Sequence, residues 1–263
     1  MLSIIIPAFD EEYRISKTLI SLRNFFRTKP ERYEIIVLID GCSDNTLRVV
    51  NELSLGINDL IPVLFENRLG KGGAIIEGLL LAKGDLILIL DADNAVPPTS
   101  LYNLVLKSLD YDLCIGSRYD PDSIILSSEP FYRIFLSRFF NNILKILFWR
   151  LRRFSDTQCG AKIVKVDVIP HIIKDLIIVN FAFDVNLIYS TLRHGYSVGN
   201  VGITWSHNEI GSKLSKGMLK IAFEMFFALV SLRIFYSRFK YILSYTYVHK
   251  FLNVLNITRI KFR

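Results

Sequence analysis

Cysteine is scarce in this sequence. Its three cysteines, Cys42, Cys114 and Cys159, are odd in number and far apart. They match no zinc-ligand spacing, offer no disulfide framework, and point to a reducing compartment. Repeats, low-complexity tracts and Pro/Gly/Ser-rich linkers are also missing, which favours one continuous domain. Nor is there an uninterrupted apolar run of about 20 residues, the length a spanning helix requires. This holds although 51% of the residues are hydrophobic and the mean hydropathy is +0.34. Phe131 to Leu151 is broken by Arg133, Arg138, Lys145 and Arg150, and Leu219 to Tyr236 contains Lys220, Glu224 and Arg233. A Lys or Arg at the centre of a spanning helix costs about 2.5–3.5 kcal/mol on insertion scales, so neither segment is expected to span. The opening run Met1 to Pro7 is too short for a signal peptide and lacks its basic start.

What is present is positive charge and aromatic bulk. A net charge of +7 and a pI near 9.2 point to anionic partners, whether phosphates, nucleic acid or an acidic lipid surface. With 263 residues the chain can hold one large α/β domain, or one domain with a short appendage. Leu2 to Ile6, Tyr33 to Ile39, Ile61 to Phe65, Leu86 to Leu90 and Asp112 to Ile115 read as buried strands. Helical patterns lie between them, near Glu12 to Phe26, Asn45 to Leu53, Gly73 to Lys83 and Pro98 to Leu109. Repeated β-α-β order predicts an α/β fold, a mostly parallel sheet with helices on both faces. Ligands of such sheets bind beyond the carboxyl ends of the strands. The polar clusters Asp10-Glu11-Glu12, Asp40, Asn67 to Gly73, Asp91 to Asn94 and Gly116 to Arg118 all fall at such ends.

Further along, Phe131 to Leu151 reads as a basic amphipathic helix. Arg133, Ser137, Asn141 and Lys145 share one face beside a stripe of Phe131, Phe135, Phe139 and Ile143. Core packing and a membrane-interface position both fit it. Phe181 to Arg193 reads as another helix and Ser197 to Thr204 as a strand, before a hydrophobic basic tail from Lys216 to Arg263.

Asp91-Ala92-Asp93, directly after an apolar strand, is the strongest local signal. Two carboxylates at a strand end suit Mg²⁺ or Mn²⁺, which keep waters and bridge to substrate phosphates. A solvated turn is the plain alternative. Asn67 to Gly73 lacks Walker spacing. It fits either a simple turn or a glycine-rich approach to a nucleotide, with Lys71 supplying charge.

Taken together, the motifs resemble family-2 glycosyltransferases of the GT-A fold, and within them the dolichyl-phosphate glucosyltransferase and mannosyltransferase group. The resemblance is carried by Ile4 to Glu12 (family-like PAYNEE), Asn67 to Ala74 (NxGKGGA), Asp91 to Ala95 (DADGA) and Gly116-Ser117-Arg118. It continues through Asp156-Thr157-Gln158-Cys159-Gly160, Phe181-Ala182-Phe183-Asp184-Val185, and Trp205 followed by Gly211-Ser212-Lys213-Leu214. The last three elements look more like the glucosyl branch. The resemblance implies that Pro7, Ala8, Glu11 and Asp40 cradle base and ribose, and that Asp91, Ala92 and Asp93 hold metal and diphosphate. It implies further that Arg118, Arg133 and Ser137 hold a lipid phosphate, and that Lys213 lies over the donor phosphates. Departures occur at Ile39, where relatives usually carry a second aspartate, and at Asn186, where the glucosyl branch usually has Glu. The membrane helix that precedes the eukaryotic glucosyl enzymes is missing as well, so attachment is expected from other segments.

The resulting expectation is a GT-A domain over 1–215 with a membrane-attaching tail over 216–263. It transfers a hexose from a nucleotide-sugar donor, UDP-glucose favoured, to dolichyl or polyprenyl phosphate at the cytoplasmic membrane face. GDP-mannose or another acceptor is the nearest alternative, and a nucleotidyltransferase a further one. Nucleic acid is not an expected partner, because the basic residues are mixed with apolar stripes rather than gathered on one polar face.

Overall fold

The structure is a computed structural model, described for residues 1–127, 140–206, 218–245, 248, 252, 257 and 258. The main sheet contains β1 (Leu2–Ala8), β2 (Tyr33–Asp40), β3 (Leu60–Phe65), β4 (Leu86–Ile89), β5 (Leu113–Ser117), β7 (Lys162–Lys165) and β8 (Val198–Gly202). Its order is β3-β2-β1-β4-β7-β5-β8. All neighbours run parallel except that β7 is antiparallel to both β4 and β5. β6 (Ile124–Ser127) and β9 (Thr204–Ser206) pair as a separate parallel ribbon. The expected α/β architecture is therefore present, with β7 added to it.

Strand periodicity builds two core layers. Ile5, Ile36, Leu38, Ile87, Ile89, Leu113, Ile115 and Val164 face one layer. Their immediate neighbours Ile4, Ile6, Ile35, Val37, Leu88, Cys114 and Ile163 face the other. Helices α1 (Ile15–Phe26), α2 (Thr46–Ser54) and α4 (Pro98–Lys107) cover the second layer. Helices α3 (Lys71–Leu81), α5 (Phe183–Arg193) and α6 (Met218–Phe235) cover the first. Truncating one of these interior side chains, Ile5→Ala for example, would cost about 2–5 kcal/mol.

The sheet opens at one place. The β1–β2 register continues to Ala8↔Ile39, whereas the β1–β4 register stops at Ile5↔Ile89. Beyond Ile5 the two strands diverge, at the point where successive connections leave the sheet in opposite directions. Such a switch point leaves a crevice at the carboxyl ends. Pro7, which has no N–H to donate, stands on β1 just past the end of the β4 ladder.

Three boundaries differ from expectation for physical reasons. α3 begins at Lys71 rather than Gly73, because its glycines are packing positions: a Cβ on Gly72 would stand 2.5 Å from Ile178 O and 2.7 Å from Phe183 Cβ. β7 is a strand the pattern does not announce, since its first residue, Lys162, is fully buried. Of the basic amphipathic segment, residues 140–147 are helical and a 3-10 turn follows at Trp149–Leu151. There Leu144, Phe148 and Leu151 join the core while Ile146 and Trp149 are exposed. Its stretch 128–139, with Arg133 and Ser137, lies outside the described residues, as does Lys213.

The described tail packs in part on the core. Met225, Ala228 and Leu229 are buried, as are Leu232, Leu243, Leu252 and Ile257. A bridge joins Ile178 to Thr258. Phe223, Phe226, Phe239, Tyr241 and Tyr245 remain exposed. No helix among the described residues is long and apolar enough to cross a membrane.

Candidate active site

Asp91-Ala92-Asp93 enters the crevice where β4 ends, on a loop fixed from several sides. Leu90 N donates to Ile5 O. Thr18 Oγ1, from α1, donates to Ala92 O at 2.7 Å. Ser206 N donates to Ala95 O at 2.9 Å, and Ala95 N donates to Asp93 Oδ1 at 3.1 Å. Asn94 is held at φ 56°, and Asp10 across the crevice at φ 54°. Non-glycine residues in this region carry strain, and such strain collects at functional sites. Behind Asp91 stands Gly160: a Cβ there would lie 2.0 Å from Asp91 Oδ2. The glycine of the Asp156–Gly160 segment is thus what leaves room for the carboxylate.

A chain of alternating charges runs from this loop into the core. Lys71 Nζ lies 2.9 Å from Asp91 Oδ1 and 3.3 Å from Asp184 Oδ2, and Lys162 Nζ lies 2.9 Å from Asp184 Oδ1. Lys162 also donates to Cys159 O. Burial pushes the Asp91 carboxyl upward, but the charges of Lys71, Lys162 and Arg14 together hold it below the usual carboxylate range. Asp93 is raised instead, by burial and by the charge of Asp91. Burial also lifts Glu11 to about 7 against the pull of its partner Arg14, with Asp93 and Asp91 adding to the rise. The Glu11–Arg14 pair is bidentate, with both contacts at 2.6 Å. The crevice therefore gathers three carboxylates, Glu11, Asp91 and Asp93, beside the cations Arg14 and Lys71.

At the β5 end, Arg118 makes a bidentate pair with the fully buried Asp156, through Nε to Oδ2 at 2.7 Å and Nη2 to Oδ1 at 3.1 Å. Burial alone would hold Arg118 down, but Asp156 raises its pKa, and Arg118 in turn holds Asp156 low. The segment 156–160 thus joins the two rims, with Asp156 on Arg118 and Gly160 under Asp91.

Other anticipated residues serve the scaffold in this structure. Asp40 is 3% exposed, and its oxygens accept from Leu69 N at 2.5 Å and Gly70 N at 2.9 Å. Gly72 N and Gly73 N both donate to Val179 O. The amides of Leu69, Gly70, Gly72 and Gly73 are therefore engaged within the protein, and Lys71 carries its ammonium to the crevice carboxylates. Asn186 is fully buried; it accepts from Ile177 N and Ile178 N and donates to Asp175 O and Ser190 Oγ. Asp10, Cys42 and Asp44 bring ligand atoms within 4.8 Å of one another. Ser43 donates to Asp10, while Thr46 and Glu12 N donate to Asp44, so this group ties two loops together. Lys162, Asp184, Asp156 and Gly160 take up roles here that no local sequence signal gives them, although all but Lys162 lie inside the segments Asp156–Gly160 and Phe181–Val185.

Residues 3–172 match the family model for glycosyl transferase family 2, and the chain belongs to that family. It is a glycosyltransferase with an α/β fold of the GT-A kind. The chain is similar to dolichyl-phosphate beta-glucosyltransferase of Drosophila melanogaster, 32% identical over 229 residues that cover 81% of this chain and 69% of the relative. It is similar also to the enzyme of that name from Dictyostelium discoideum, 31% identical over 228 residues that cover 81% and 68%. In fold it is similar to glucosyl-3-phosphoglycerate synthase from Mycobacterium tuberculosis, solved with Mn²⁺, uridine diphosphate and phosphoglyceric acid. That match has a TM-score of 0.64 and 16% identity, covering 89% of this chain and 78% of the other.

Proposed function

We propose that this chain transfers glucose from UDP-glucose to the phosphate of a dolichyl or other polyprenyl phosphate, with inversion, at the cytoplasmic face of a membrane. The observation that carries the reading is Asp91, set in the switch-point crevice with Lys71 Nζ 2.9 Å from its Oδ1, in a chain about a third identical to dolichyl-phosphate beta-glucosyltransferases.

Asp91 and Asp93 suit a divalent cation. Their donors are hard oxygens, and Asp93 is raised partly by the charge of Asp91, a repulsion that a cation would relieve. Mg²⁺ or Mn²⁺ bound there would supply positive charge to the departing diphosphate. Pro7, Ala8 and Glu11 line the donor side, and Asp40 acts on it through the loop it holds. Arg118, preset by Asp156, is assigned to the acceptor phosphate and Lys71 to the donor phosphates, and the family resemblance adds Arg133 and Ser137 to the first role and Lys213 to the second. A phosphate monoester is largely dianionic at neutral pH, with a second pKa near 6. It attacks the anomeric carbon as the bond to UDP breaks, and the protein's task is to offset repulsion between the two anions. An α-linked donor gives a β-linked product.

The region 1–215 carries the chemistry, and 216–263 lies against the lipid surface. Exposed aromatics at 223, 226, 239, 241 and 245 beside Arg238 and Lys240 suit the headgroup region. Purified protein incubated with Mn²⁺, polyprenyl phosphate and a panel of UDP- and GDP-sugars would yield a polyprenyl-phosphate hexose from UDP-glucose. Mass spectrometry identifies it, and NMR of the anomeric proton reads the linkage. Pyrophosphate release, an α-linked product, or no lipid product with any donor overturns the reading. For the membrane contact, Phe223→Ser with Phe226→Ser should reduce flotation with anionic vesicles. Unchanged flotation removes α6 from that role.

A further inference from the structure

The four charges Asp91, Lys71, Asp184 and Lys162 form a closed, neutral set with one open end. Lys162 is fully buried, and the side chains of Asp184, Lys71 and Asp91 are 4%, 15% and 38% exposed in turn. Three of the four are fixed. Asp91 cannot draw back, because Gly160 already approaches it more closely than any side chain would allow. Asp184 is anchored by Lys162, and Lys162 is tied to the backbone at Cys159. Lys71 differs. It stands at the first position of α3, and its flexible four-carbon stem ends between the two carboxylates.

A doubly charged ion settles less favourably on Asp91 while an ammonium stays at hydrogen-bond distance from the same carboxylate, since like charges that close repel. We infer that Lys71 is a built-in counter-ion, occupying Asp91 until a divalent cation arrives and then passing to the diphosphate of the donor. The inference rests on the reading of Asp91 as a cation ligand. It makes the order of binding a property of the fold: cation alone binds against the charge of Lys71, whereas nucleotide draws Lys71 away and opens Asp91. Asp184, pinned by Lys162, is the positioning residue that keeps Lys71 within reach of both destinations.

Equilibrium binding of Mn²⁺, followed by the EPR signal of the free ion with and without saturating UDP, tests this without any transfer reaction. In Lys71→Met the Mn²⁺ ion alone should bind about tenfold more tightly than in wild type. UDP alone should bind more weakly, and the factor by which UDP tightens Mn²⁺ should shrink about tenfold. Lys71→Arg keeps the charge and should keep the wild-type pattern. Lys71→Gln provides the same comparison with a polar group in place and decides the matter if Lys71→Met melts well below wild type. Unchanged or weaker binding of Mn²⁺ alone in folded Lys71→Met and Lys71→Gln overturns the inference. Asp91→Asn separates the two levels: if it binds Mn²⁺ with UDP as wild type does, the ligand reading of Asp91 fails whatever the lysine variants show.

Discussion

Glu34 and Glu11 sit near opposite ends of the same sheet, both largely out of water, and their surroundings differ. At the amino end, Glu34 Oε1 accepts from Ser3 Oγ at 2.6 Å and Lys83 N at 2.9 Å, and Ser3 Oγ accepts from Gly84 N at 2.8 Å. Donors meet acceptors there and the end is closed. At the carboxyl end, burial lifts the Glu11 carboxyl to about 7 against the pull of Arg14, and the charges of Asp93 and Asp91 add to the rise. Two non-glycine residues also adopt left-handed backbone there. Buried polar groups that are fully satisfied specify a fold, whereas carboxylates crowded together out of water have the perturbed ionisation typical of functional sites.

Glycine substitutions separate the two ends most sharply. At Gly160 an added methyl would meet Asp91 Oδ2, and at Gly84 it would meet Ser3 N at 2.6 Å. Gly160→Ala should lower kcat/KM by about a hundredfold, the scale expected of a displaced site group, with little change in melting temperature. Gly84→Ala should leave activity per folded molecule intact, and denaturant unfolding should show a loss of about 2–3 kcal/mol from overpacking. If both substitutions act on the same quantity, the two ends are not distinct.

Titration gives a smaller contrast. Glu11 is raised from 4.5 to about 7, so between those values the folded state holds a proton that the unfolded state has lost. Stability should therefore fall as pH rises through this window, by about 2–3 kcal/mol, and unfolding of Glu11→Gln should lack that slope. Smallest of all, Ser3→Ala should cost about 1–2 kcal/mol at any pH in that range, since it leaves Gly84 N and Glu34 each short of a partner.

What could be read in the sequence follows from the range of the interactions. β1, β2 and β4 announce themselves through local apolar runs, and the rule that ligands gather at strand ends located Asp91 without any tertiary knowledge. Lys162 did not announce β7, because lysine is rarely buried and its partner Asp184 lies 22 residues further on. Arg118 was legible as a candidate, but its pairing with Asp156, 38 residues away, was not. The start of α3 was misplaced because glycine weakens a helix locally, whereas contacts with Ile178 and Phe183 require it there. Asn186 stood out as a departure from its relatives; its four hydrogen bonds within the 175–190 region could be seen only once the chain was folded.

The carboxylate pair that follows β4 is open to one direct measurement. Initial rates of glucosyl transfer from UDP-glucose to polyprenyl phosphate, with Mn²⁺ saturating for wild type, are compared for wild type, Asp91→Asn and Asp93→Asn, alongside their melting temperatures. Loss of about a thousandfold or more in both variants, each melting within a few degrees of wild type, is the expected result. A near-normal rate in either one would contradict it.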